Sequence, residues 1–282
     1  MKYEANYPGS DYAPSAVRLK QYARTRMREG YPGGLSAVLR MTLLFLLLTD
    51  WISLLLNLLP TNPMERLADQ MTAAMSTGSP DALNGVFSGA PALFQPAAAR
   101  ITLFAVILAA LCSLVIGYGY SSWAMALHRG GQPGWTHFFS RFHMAGKIIL
   151  LSLLIAVCVY LWSLLLLIPG IIALFRYAMS RYILLDQPEL SAFTAWNRSK
   201  RMMYGHKWSL FLLKLSFLPW MLGSIAATYA VSYLLSMAGL PQLVISLAAQ
   251  AVTTAFYVYL TPYIELSTVG FYELLKARQA RL

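Results

Sequence analysis

Charged side chains are scarce in this chain of 282 residues. They make up 12% of it, whereas 58% of the residues are hydrophobic. An ordinary soluble domain carries about 25% charged residues. The composition therefore excludes an ordinary soluble protein and predicts a polytopic membrane protein.

Cysteine and histidine are also rare, which bears on metal and redox chemistry. The two cysteines, Cys112 and Cys158, lie within apolar runs, and the four histidines lie in predicted loops without an acid or cysteine at metal-ligand spacing. We therefore expect no disulfide framework, no metal and no cofactor. The chain also lacks a His-Glu-x-x-His zinc pair, a Gly-x-Ser-x-Gly elbow and a phosphate loop. We expect no catalytic residues, no enzymatic activity and no cleaved signal peptide.

Acidic residues are half as numerous as basic ones, which gives a net charge of +11. In a soluble protein this excess would indicate nucleic acid, but in a membrane protein it marks topology and contacts with anionic lipid. We therefore predict no nucleic-acid partner. With six spans and both termini cytoplasmic, 17 Lys and Arg flank the spans on the inner side and two on the outer side. The sequence thus predicts a multi-pass protein of a bacterial cytoplasmic membrane with its N and C termini inside.

The apolar runs predict an all-α transmembrane bundle, since a span needs about 20 apolar residues. The six spans cover 35–59, 101–127, 147–167, 171–185, 208–237 and 242–275. A basic interfacial segment (1–34) precedes the membrane domain (35–276), and a short tail (277–282) follows it. Pro169 and Gly170 are expected to form the turn of a helical hairpin between the third and fourth spans. Pro262 is expected to kink the sixth span.

The predicted outer loop, 60–100, carries two helix-start patterns. They are Asn62-Pro63-Met64-Glu65 and Ser79-Pro80-Asp81. We expect two short amphipathic helices there, acting either as a surface cover or as a gate.

Ionisable residues at membrane depth are the first candidate site. Asp50, Ser53 and Asn57 share one helix face, and Asp50, Arg176 and Glu265 each lie about 15 Å from a membrane boundary by helix rise. Charges at that depth need a partner or water. We expect Arg176 to pair with Asp50, Glu265 or both. Such a pair would either belong to a polar pathway or proton-coupled gate, or have the structural role of fixing helix register.

Two basic clusters are candidate sites for lipid headgroups. The first, on a predicted amphipathic helix near the N terminus, is Arg18, Lys20, Arg24, Arg26 and Arg28, and the second is Arg198, Lys200 and Arg201. Ser191 is expected to cap the helix of the second cluster and Gly205 to end it. We predict anionic membrane lipids as partners. The alternatives are a disordered basic arm for the first cluster and docking of an unidentified protein for the second.

Residues 168–220 carry the most distinctive motifs of the chain. They include an Ile-Pro-Gly turn, Tyr177-x-Met179, Asp186-x-Pro188 and Met203-x-Gly205-His206-Lys207, and Phe271-Tyr272-Glu273 follows near the end. These motifs resemble the bacterial integral membrane family catalogued as domain of unknown function 975. The resemblance implies a helical membrane fold without an established activity. It also implies a distant similarity to membrane domains attached to glycerophosphodiesterases. The extended outer loop and Gln187 depart from the family pattern.

The buried charges and the capped outer loop favour one hypothesis for the function. It is transport of an amphipathic or lipid-like molecule, or an accessory role in its export. The alternative is a structural or partner-binding scaffold that organises lipid or assists another membrane complex. A hydrated cavity would favour the first and a dry charge pair the second.

Overall fold

The computed structural model describes residues 16–29, 34–57, 63–77, 79–93 and 97–280, with the backbone alone for 50–57, 63–66, 90–93, 97–99, 102, 165 and 167. These residues form helices and connecting turns, with no β-strand among them. The helices are α1 (Ala16–Glu29), α2 (Gly34–Asn57), α3 (Pro63–Thr77), α4 (Pro80–Leu93), α5 (Ala97–His128), α6 (Ala145–Leu165), α7 (Leu167–Tyr177), α8 (Ser180–Asp186), α9 (Ala192–Met202), α10 (Lys207–Leu215), α11 (Leu218–Met237) and α12 (Gln242–Gln279). Two 3-10 turns, Trp135–Phe138 and Phe142–Met144, lead into α6.

Five helical segments are long and apolar enough to cross a membrane. They are Leu103–His128, Trp135–Leu164, Ile168–Asp186, Lys207–Met237 and Gln242–Gln279. A sixth arises if the bent pair of α1 and α2 counts as one span. The prediction of an all-α, polytopic transmembrane bundle is confirmed.

The described residues divide into two compact units. One lies within Met1–Leu46 and Val115–Leu282, and the other within Leu47–Leu114. In the second unit α3 packs against α4, which confirms the two helices expected in the outer loop. Ala74 is buried, whereas Met75 and Phe87 are exposed. The choice between cover and gate stays a prediction.

The hairpin breaks at Leu166, three residues before the expected position. α6 ends at Leu165, Leu166 is extended (φ −162°, ψ 147°), and Pro169 lies in the first turn of α7. Proline is tolerated there because the first helical N–H groups have no partner inside the helix. Gly170 lets α7 pack closely on Ser163 of α6, since a Cβ at position 170 would lie 2.0 Å from Ser163 Oγ. Pro169 and Gly170 therefore begin the second arm of the hairpin.

Two spans contain breaks that we did not predict, whereas the kink expected at Pro262 stays a prediction. α12 runs unbroken through Pro262. The fourth span is interrupted between α7 and α8 at Ala178–Met179, and the fifth between α10 and α11 at Ser216–Phe217. The backbone at these four residues stays in the right-handed helical region, so each span continues across its break.

The N-terminal basic helix α1 packs on the bundle through α12 and α10. Its apolar face, Leu19, Ala23 and Met27, is buried. Lys20 Nζ donates to the carbonyl of Ser216 at the fifth-span break (2.9 Å) and lies 4.2 Å from the Phe217 ring. The predicted helix is therefore confirmed for residues 16–29, with its apolar face on protein, while the assignment of its cations to lipid headgroups stays a prediction.

Two further cations of α1 also contact protein. Arg24 lies 5.3 Å from the ring of Tyr263, and Arg26 Nε donates to the hydroxyl of Tyr22 (2.8 Å). The Tyr22 ring in turn lies 4.8 Å from the buried ring of His128. The first basic cluster is thus partly used to hold α1 on the bundle.

Candidate functional site

A polar cluster lies inside the bundle around Glu265. Its Oε1 accepts a hydrogen bond from the Tyr182 hydroxyl (3.0 Å), and Arg181 and Lys214 interact electrostatically with its carboxylate. Arg181 Nη1 also donates to Ser121 Oγ (3.2 Å). Within the described part of the chain, Glu265 and Arg176 form no ion pair. In place of the expected pair with Arg176, Glu265 has the Tyr182 hydroxyl as its hydrogen-bond partner, and Arg181 and Lys214 act on its carboxylate electrostatically.

The other members of the predicted polar pathway are Asp50, Ser53 and Asn57 on α2. Their side chains lie outside the described residues. The pairing of Asp50 with Arg176 stays a prediction.

An ion-pair network joins the end of α5 to the ends of α8 and α12. Asp186 is its centre: Oδ1 lies 2.7 Å from Arg129 Nη2, Oδ2 accepts from the Tyr272 hydroxyl (3.0 Å), and Lys276 pairs with it. Arg129 also pairs with Glu273 (2.6 Å). Burial opposes the charge of Arg129, but its bonds to Asp186 and Glu273 outweigh burial and raise its pKa. The network holds two cations and two carboxylates, so its charges balance.

A first cavity, of about 340 Å³, adjoins this network. The cations Arg198, Arg201 and Lys276 line it, together with Asp186 and five uncharged residues. Arg198 Nη1 donates to the side-chain oxygen of Gln187, a neutral partner. Since Lys276 belongs to the balanced network, Arg198 and Arg201 bring the uncompensated charge.

A second cavity, of about 690 Å³, is lined by Arg176, Asn197, Lys200, Arg201 and Tyr204. This lining brings three cations together, and it contains no carboxylate from the described residues. Within that same part of the chain, the Arg176 and Arg201 guanidinium groups form no hydrogen bond or ion pair. Burial and nearby Arg176 lower the pKa of Lys200. The cavity therefore has the charge that attracts an anion.

Helix α9 builds this cavity by packing on the end of α7. Ser191 Oγ accepts from the backbone N–H of Thr194 (3.1 Å), and Gly205 has φ +78°, so the predicted start and stop signals are confirmed. Ser199 Oγ donates to the carbonyl of Arg176 (3.0 Å). This contact brings Arg176 of the predicted pathway beside the predicted headgroup cations of α9.

Some aromatic side chains of the α9 segment are stacked on neighbouring groups, and others are exposed. Trp196 stacks on Tyr177, with ring centroids 5.3 Å apart, and the Lys200 ammonium lies 3.1 Å above the Trp196 ring. Tyr204, Trp208 and Phe193 are exposed. Exposed aromatic residues near the end of a span are typical of the membrane interface.

Sequence reasoning missed several residues of these sites. Arg181, Lys214 and Arg129 were not among the predicted site residues. A usable signal existed for Asp186, Tyr272 and Glu273, because they belong to the motifs that carry the family resemblance. Their pairing could not be found from those motifs, since the partners are up to 144 residues apart.

The comparisons with known proteins match this part of the chain to a family. A family model described as "Protein of unknown function (DUF975)" matches residues 98–279, more than half of the chain. The match includes the Glu265 cluster, the Asp186 network and both cavities. No curated protein and no solved structure matches. No group of three or more metal-ligating side chains occurs among the described residues.

Proposed function

The chain belongs to the DUF975 family of proteins of unknown function, and we propose a function from its own geometry. In this proposal the protein is a non-enzymatic protein of the bacterial cytoplasmic membrane that assists the transport or export of an anionic, lipid-like molecule. The second cavity carries this proposal. An anionic headgroup enters it while the apolar part stays in the membrane.

The chemistry of the second cavity supports an anionic headgroup. Arg176, Lys200 and Arg201 offer donors and three positive charges, and Asn197 and Tyr204 add uncharged polar groups. Arginine matches the oxygens of phosphate and carboxylate with two parallel hydrogen bonds. Each cation near an anionic membrane surface contributes about 1 kcal/mol of attraction.

The surroundings of the cavity support an amphipathic ligand. Leu174, Tyr204 and Trp208 expose 53%, 83% and 67% of their surface, so apolar area lies next in the chain to the cationic groups. The polar cluster of Arg181, Lys214 and Glu265 offers interior polar groups to a headgroup that crosses the bundle. By the count of flanking cations, α9 lies at the cytoplasmic face. The headgroup would thus be collected from the inner leaflet.

The test is lipid translocation by purified protein in vesicles that contain fluorescent phosphatidylglycerol. Dithionite quenching reports how fast the labelled lipid reaches the outer leaflet. We expect wild-type protein to accelerate this movement above protein-free vesicles. Arg176→Gln with Arg201→Gln should reduce headgroup affinity roughly thirtyfold, from about 1 kcal/mol for each cation, and slow translocation accordingly.

The control has the same change in charge at two exposed arginines that line neither cavity and belong to neither headgroup cluster, Arg40→Gln with Arg100→Gln. It should translocate at the wild-type rate. Equal rates for wild-type protein and the cavity variant would overturn the proposal. Tight lipid binding without any translocation would favour the scaffold instead.

A further inference from the structure

We propose that the headgroup carries two phosphate groups joined by a short linker, one in each cavity, with Arg201 shared between them. This inference rests on the proposed function, because it names the ligand class of the same site. Arg201 lines both cavities. The two cavities therefore meet at one guanidinium group.

Helical spacing explains why Arg201 reaches both cavities. Arg198 and Arg201 are three residues apart on α9 and line the first cavity, whereas Asn197, Lys200 and Arg201 span one turn and line the second. Residues three and four apart are neighbours on a helix surface. Anions in the two cavities would thus be separated by about one helical turn, roughly 5 Å.

Each cavity also has positive charge that no carboxylate compensates. Asp186 lines the first cavity, but Arg129, Lys276 and Tyr272 already contact its carboxylate. Arg198 and Arg201 then leave net positive charge in the first cavity, and Arg176, Lys200 and Arg201 do so in the second. A ligand with one phosphate would neutralise only one of these two sets.

The type of side chain at position 201 also fits sharing. A guanidinium group has five N–H donors in a fixed plane and can serve two anions on different edges, whereas an ammonium group is a point charge. Replacing Arg201 by lysine therefore separates geometry from charge. Its effect should differ for a ligand with one phosphate and a ligand with two.

The experiment compares two lipids with identical tails and glycerol linker, dioleoyl-phosphatidylglycerol and dioleoyl-phosphatidylglycerol phosphate. Native mass spectrometry of the detergent-solubilised full chain measures both affinities. We expect wild-type protein to bind the lipid with two phosphates at least about tenfold more tightly. A third probe, glycerol 1,3-bisphosphate without tails, distinguishes a lipid headgroup from a soluble phosphate.

The variants assign each phosphate to its cavity. Arg198→Gln should lower the affinity for phosphatidylglycerol phosphate to the level of the affinity for phosphatidylglycerol. It should leave the affinity for phosphatidylglycerol unchanged. Arg201→Lys should leave phosphatidylglycerol binding within about threefold but abolish the preference for two phosphates. Arg40→Gln, a charge-matched control at an exposed arginine that lines neither cavity, should keep the full preference.

Each result separates this inference from the proposed function. A wild-type preference below threefold, with phosphatidylglycerol still bound through Arg176, overturns the inference alone. An Arg198→Gln variant that weakens both lipids equally also overturns it. If glycerol 1,3-bisphosphate binds as tightly as the lipid, the two-phosphate site stands and the lipid function fails. If wild-type protein binds neither lipid nor the tail-free head, both fail.

Discussion

At the scale of single residues, three carboxylates of the first unit each bond to identified side chains. Asp186 pairs with Arg129 and Lys276, Glu273 pairs with Arg129, and Glu265 accepts from Tyr182. The Asp186 side chain is 8% exposed, while those of Arg129 and Lys276 are 42% and 44% exposed. Removing the Asp186 carboxylate would therefore leave Lys276 without its partner and Arg129 with Glu273 alone, both cations being in reach of water.

We predict that Asp186→Asn lowers the free energy of unfolding by about 2 kcal/mol. Breaking a fully buried pair costs about 3–5 kcal/mol, and the half-exposed cations reduce that loss. Glu273→Gln, which breaks only the pair with Arg129, should cost about 1 kcal/mol or less. Thermal unfolding in detergent, followed by tryptophan fluorescence, ranks the two. Equal losses would show that Asp186 is not the centre of the network.

At the scale of helices, close approaches and breaks decide how the elements meet. Gly119 of α5 lies against the backbone of the first 3-10 turn, where a Cβ would be 2.0 Å from the carbonyl oxygen of Phe138. Gly117, two residues earlier on the same helix, has nothing within 4 Å of that position. The two glycines thus form a matched pair for testing the packing of α5.

Gly119→Ala should destabilise the protein by about 2–3 kcal/mol, because the new methyl group meets backbone atoms that must move. Gly117→Ala should instead stabilise it by about 0.5–1 kcal/mol, since alanine is the better helix former. The same thermal measurement should give shifts of opposite sign. Shifts of the same sign would contradict the packing of α5 on Phe138.

The docking of α1 gives a second prediction for an element. Ala23 is 0% exposed on the face of α1 that meets the bundle, whereas Val17 is 64% exposed. Ala23→Phe should overfill that contact and release α1, so trypsin should cut at Arg24 and Arg26 faster than in wild-type protein. Val17→Phe is the control and should be cut at the wild-type rate. Unchanged cleavage of Ala23→Phe would mean that α1 is not held by this face.

At the scale of the whole chain, the six-span topology predicted from the sequence assigns residues 60–100 and the α9 segment to opposite sides of the membrane. In that prediction three spans, 101–127, 147–167 and 171–185, separate the two regions, and an odd number of spans puts them on opposite sides. The count of flanking cations predicts that the α9 side is cytoplasmic. The structure contains no membrane, so this orientation is tested by labelling.

We predict the outcome of cysteine labelling in a background with Cys112→Ser and Cys158→Ser. A single cysteine at Ser76 or Ser88, both exposed, should react with an impermeant maleimide in intact bacterial cells. One at Gln132 or Glu189, also exposed, should react only after permeabilisation. The reverse pattern would invert the topology and place both cavities outside.

The sequence alone determined the elements that depend on local interactions. Long apolar runs predicted the membrane spans because backbone groups in lipid must be satisfied within a helix. The start signals at Pro63, Pro80 and Ser191, and the stop at Gly205, predicted α3, α4 and α9 since caps act within one turn. The prediction that the basic residues of α9 bind lipid headgroups also came from the sequence, and it stays a prediction.

Only the tertiary structure decided which charges meet. It placed Arg176 beside Lys200 and Arg201 rather than beside Glu265, and brought Asp186 to Lys276, 90 residues further along the chain. It also moved the hairpin break to Leu166 and introduced breaks inside two spans. Such contacts depend on helix rotation and on packing between distant segments. Local spacing constrains neither, because it fixes which residues share a helix face but not which distant helix that face meets.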